Sequence, residues 1–91
     1  MHRSKLAGFI IDCQTEALAA AAGFWSAALG MATRALPAEE AGQYVQLVDP
    51  LEHLHIEVQT VTHPSRVHLD IETDDIEAEV RRLEQLGARR V

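Results

Sequence analysis

An α+β fold is predicted by three features of this 91-residue sequence. Two short stretches alternate strictly between apolar and ionisable residues, as half-buried strands do. Two longer stretches carry apolar residues at helical spacing. The order strand, polar cap, helix, Leu-Gly then occurs twice. Together these give a β-α-β-β-β module over residues 6–61 and a β-α-β half-module over residues 66–91, one incomplete domain. A chain of this length supports a single modest core, burying about 60 to 65% of its unfolded surface.

Residues 6–13, LAGFIIDC, form the first expected strand, because an apolar run with aromatic and β-branched members suits a mostly buried position. Thr15 stands where it can cap a helix over residues 16–29. In that helix Leu18, Ala22, Trp25 and Leu29 make an apolar stripe, and Gly30 supplies the stop. A second strand is expected over residues 31–36, a polar loop over 37–42, and a third strand, QYVQLV, over 43–48, ended by Asp49-Pro50.

HLHIEVQ, residues 53–59, puts His53, His55, Glu57 and Gln59 on one face and Leu54, Ile56 and Val58 on the other. VHLDIE, residues 67–72, repeats the pattern, with Val67, Leu69 and Ile71 opposite His68, Asp70 and Glu72. Asp74 to Glu77 reads as a D-x-x-E capping box. It opens a helix whose stripe is Ile76, Val80, Leu83 and Leu86, and Gly87 follows. The helix stripes are expected to cover the apolar strand faces, leaving the ionisable face open.

Composition narrows the function. With 8 basic and 14 acidic residues the formal net charge is -6, which disfavours nucleic acid and anionic membrane surfaces as partners. The uncharged stretch over residues 17–32 is too short and too rich in alanine to span a bilayer, and the N-terminal apolar run reaches Asp12 too soon for a signal-peptide core. A single cysteine rules out an intramolecular disulfide, so a reducing, cytoplasmic setting is expected.

The stretches IIDCQTEALAAAAGFWSAALGM and VHLDIETDDIEAEVRRLEQLGARRV resemble the glyoxalase-like branch of the vicinal oxygen chelate superfamily, which also holds bleomycin resistance proteins and extradiol dioxygenases. The resemblance implies paired βαβββ modules whose curved mixed sheet encloses a pocket, with the helices on the outer face. With its two Leu-Gly stops 57 residues apart, the chain is expected, against that pattern, to be C-terminally truncated. An uncovered strand edge is expected to recruit a second copy, giving a homodimer.

The resemblance also implies a divalent metal (Zn, Fe, Mn or Ni), with ligands on the first and fourth strands of each module. By position these sites fall on Gly8, Glu57, His68 and a strand beyond Val91. Gly8 has no ligating side chain, so Glu57 and His68 remain as metal ligands, with His55 or a second chain completing the set. In such a site the metal takes two neighbouring oxygens of a small substrate and Glu57 moves protons, the chemistry of a lyase, isomerase or dioxygenase relative. Without metal, the same concave face is expected to bind a small molecule through Tyr44, His55 and Asp70, as sequestration proteins of the superfamily do, its carboxylates favouring a positive ligand. A third alternative is a self-associating domain without activity. Cys13 reads as a packed thiol, Trp25 as core, and His2, His63, Arg81, Arg82, Arg89 and Arg90 as solvated.

Overall fold

The computed structural model describes residues 1–37 and 41–91. Its elements are β1 (Ser4–Gln14), α1 (Leu18–Leu29), β2 (Thr33–Arg34), β3 (Tyr44–Val48), β4 (His55–Val61), β5 (Arg66–Thr73) and α2 (Ile76–Gln85). The strands form one mixed sheet in the order β2-β3-β4-β1-β5. β1 runs parallel to β4 and antiparallel to β5, and β3 is antiparallel to both β2 and β4. The α+β class read from the sequence is therefore the observed one.

Residues paired across a sheet point to the same side, so the register defines the two faces. Phe9 and Ile11 align with Ile56 and Val58, which align with Leu47 and Val45. α1 lies over this face through Leu18, Ala21, Ala22 and Trp25, enclosing Leu47, Ile56 and Val58 completely. Each such side chain contributes roughly 1.5–3 kcal/mol of transfer free energy. Cys13 packs at the margin, where burial pushes its thiol pKa up, in keeping with a packed rather than nucleophilic cysteine.

Several local expectations are corrected. β2 has only two residues, and half of the expected 37–42 loop, residues 38–40, lies outside the described ones. β4 begins at His55 because the Asp49 carboxylate accepts the backbone N–H groups of Leu51, His53 and Leu54, holding that segment in a turn. α1 begins at Leu18 without a side-chain cap, since the Thr15 hydroxyl accepts the Ala17 N–H instead. α2 is capped by Asp75, which accepts the Ala78 N–H, while Asp74 accepts the Arg3 N–H. Residues 88–91 form no strand.

The larger correction concerns β5. Ile11, Phe9 and Leu6 align with Val67, Leu69 and Ile71, placing all of them on the apolar face. Yet Val67, Leu69 and Ile71 are 57%, 67% and 44% exposed, so the α2 stripe does not cover them. α2 is fastened by polar contacts instead. Buried Glu79 accepts a bond of 2.9 Å from the His2 ring and a two-pronged contact of 2.7 Å from Arg82. His2 and Arg82 are thus anchors of this helix rather than solvated side chains. No helix among the described residues is long and apolar enough to cross a membrane.

Candidate functional site

The face opposite α1 carries the ionisable residues, in cross-strand rows fixed by the register. One row runs Arg34, Gln46, Glu57, Ile10, His68; the next runs Val48, His55, Gly8, Asp70; a third runs Tyr44, Gln59, Asp12, Arg66. Tyr44, His55, Glu57, His68 and Asp70 therefore share one face, as their alternation requires.

Sharing a face does not bring them into contact. β1 lies between β4 and β5, and Glu57 and His68 both align with Ile10, so their backbones stand about 10 Å apart, two interstrand spacings. Glu57 turns to its neighbour but one: the His55 ring Nε2–H donates to Glu57 Oε1 at 2.8 Å. His68 turns the other way, its Nδ1–H donating to Asp12 Oδ2 at 3.2 Å, with Asp70 Oδ1 3.8 Å from its Nε2. Tyr44 accepts a bond of 3.0 Å from the Gln59 amide.

Asp12 was not among the residues that the sequence singled out. It is 3% exposed, and three groups gather on its Oδ2: His68, the Arg66 Nε at 3.7 Å and the His63 Nε2 at 3.8 Å. His63 thus leans over the sheet end rather than standing free in its connection. Asp12 Oδ1 is buried without a partner, which is costly for a carboxylate oxygen. The signal available in the sequence was a lone carboxylate inside the apolar run GFIIDC.

Two further features shape the face. β1 bulges between Leu6 and Gly8, a device that re-aims side chains beside binding sites. A Cβ at Gly8 would collide with the His55 carbonyl oxygen, so no ligating side chain fits there. Beside the bulge lies an open cleft of about 320 Å³ lined by Ala7, Arg34, Gln46, His53, His55 and Glu72 among others. His55 lines it, with its ring hydrogen-bonded to Glu57.

A divalent ion needs several converging donors. Glu57 and His68 point to different partners, and no group of three or more His, Cys, Asp or Glu side chains among the described residues is arranged to hold a metal ion. The donors among the described residues do not fit a resident metal by themselves.

The family profile described as "Glyoxalase-like domain" matches residues 8–91. No curated protein matches the chain.

Proposed function

The chain belongs to the glyoxalase-like domain family, and from that premise we propose that the polar face of its sheet binds a small oxygen-bearing molecule in the cleft beside His55. The observation that carries this reading is the Glu57–His55 pair, whose imidazole lines the cleft. With Nε2–H committed to the carboxylate, the neutral imidazole leaves its Nδ1 lone pair open as a proton acceptor. Glu57 fixes the ring's orientation, so that His55 is the group placed to exchange a proton with a bound ligand. Tyr44, Asp70 and His68 supply further hydrogen-bonding groups on the same face. A cytoplasmic setting accords with the single cysteine.

Thermal-shift screening against small 2-oxo and 2-hydroxy carbonyl compounds, repeated on Glu57→Gln and His55→Gln, tests this. A ligand whose effect is lost in both variants is the expected result. Turnover of that ligand marks an enzyme of lyase, isomerase or dioxygenase type, and binding alone marks a sequestration protein. The rival reading places Zn, Fe, Mn or Ni between Glu57 and His68. A stoichiometric metal in the native protein that disappears with Glu57→Gln establishes that rival instead.

The exposed side chains of Val67, Leu69 and Ile71, and the outer edge of β5, which is unpaired among the described residues, favour self-association as a second property. We infer a homodimer through this surface. Sedimentation at micromolar concentration should show a species of twice the 10.0 kDa chain mass, weakened by Leu69→Lys; a monomer at all concentrations removes the inference.

A further inference from the structure

One basic residue on the polar face has no part in the proton chemistry above. Arg34, on β2, aligns with Gln46, and Gln46 aligns with Glu57. Guanidinium, amide and the Glu57 carboxylate therefore stand in one row, with the His55 imidazole in the next row of the same face, and Arg34, Gln46 and His55 all line the 320 Å³ cleft. Arg34 is the only Lys or Arg among the lining residues.

The acids of the same cleft are largely committed elsewhere. Asp49 receives three backbone N–H groups, led by Leu51 and Leu54, which hold its carboxyl below the usual carboxylate range and its oxygens within the turn. Glu72 lies 3.7 Å from the Lys5 ammonium. Glu52 stays exposed, on a turn residue with φ of 55°. What the cleft offers a ligand is thus a planar fork of donors from Arg34, an amide from Gln46 and the imidazoles of His53 and His55, set among the carboxylates of Asp49, Glu52 and Glu72, so an anion has to be held by direct contact with the guanidinium.

We propose that the cleft selects a small carboxylate, gripped by the Arg34 guanidinium, with the ligand's neighbouring oxygen directed toward His55 and Gln46. This rests on the polar-face reading above and adds the charge of the ligand. It replaces the positive ligand expected from the carboxylates of that face: the net charge of -6 repels an anion at long range, so selection has to come from a local, geometrically matched contact. A guanidinium provides that, since it meets a carboxylate with two parallel N–H···O bonds, which an ammonium does not.

The test is an NMR titration with lactate, its uncharged analogue lactamide, and inorganic phosphate, on the native chain, Arg34→Gln and Arg34→Lys. Lactate is expected to bind about tenfold more tightly than lactamide, the equivalent of one charge-assisted contact, and more tightly than phosphate. Arg34→Gln should reduce lactate to the level of the amide, and Arg34→Lys should recover only part of the difference. Equal affinity for acid and amide, an acid preference that survives in Arg34→Gln, phosphate binding tighter than lactate, or no lactate binding at millimolar concentration each overturns the proposal. If acid and amide bind equally and both perturb His55 and Glu57, the polar-face reading stands and only the ligand's charge was wrong. Perturbations confined to Val67, Leu69 and Ile71 remove both.

Discussion

The His55 imidazole and the Glu57 carboxylate, two residues apart on one face of β4, are joined by a hydrogen bond of 2.8 Å from Nε2–H to Oε1. That bond selects the tautomer. In its neutral form the His55 ring should carry its proton on Nε2, read from its ring ¹⁵N shifts, and Glu57→Ala should let the two tautomers average. A ring protonated on Nδ1 in the native chain contradicts the assignment. Stability should change by only about 0–1 kcal/mol in that variant, because the pair is partly exposed.

Around Asp12 the cost of mutation should be asymmetric. The carboxylate is buried and has an oxygen without a partner, whereas Arg66 and His68 are substantially exposed and can return to water. Asp12→Asn removes the buried charge and is expected to shift urea-unfolding stability by no more than about 1 kcal/mol. The double variant Arg66→Ala, His68→Ala leaves the charge buried with fewer partners and should cost about 1–3 kcal/mol. The reverse order would show that the carboxylate is held by its neighbours more strongly than these distances allow.

Leu47 and Leu69 lie on the same apolar face and should answer differently. Leu47 is fully enclosed, so Leu47→Ala is expected to cost about 2–5 kcal/mol in denaturant unfolding. Leu69 is mostly exposed, so Leu69→Ser at low protein concentration should stay within about 0.5 kcal/mol. A large loss at Leu69 under those conditions means that the face of β5 is covered.

Acid should weaken the anchoring of α2. The Arg82 guanidinium and, next, the His2 ring hold the Glu79 carboxyl below the usual carboxylate range. A carboxylate with a lowered folded-state pKa contributes in full above its unfolded value, about 4.3, and loses that contribution as the pH falls below it. The native chain should therefore be more stable than Glu79→Gln at pH 7, with the gap narrowing steadily as the pH falls from about 5 to 3. A gap that is unchanged or wider at pH 3 contradicts the anchoring.

The parts of the fold legible in the sequence were those governed by periodicity. Alternation in HLHIEVQ and VHLDIE gave the two-faced strands, and the Ile76, Val80, Leu83 stripe gave α2. Alternation states which residues share a face, not whether anything covers it, so the exposure of Leu69 was invisible. Nor does it give lateral distance: Glu57 and His68 read as one site until the strand order put β1 between them. Arg34 and Asp12 reach the polar face through pairings with distant residues, Gln46 and Arg66, and neither sits in a repeating pattern that could have announced it.

The central claim, that the polar face is the ligand surface, is tested most directly by chemical-shift mapping of the native chain against small 2-oxo and 2-hydroxy carbonyl compounds. The account predicts perturbations that cluster on Arg34, Gln46, His55 and Glu57, with the signals of Leu47, Ile56 and Val58 little changed. Perturbations confined to the apolar face of β5, or none from any compound at millimolar concentration, would contradict it.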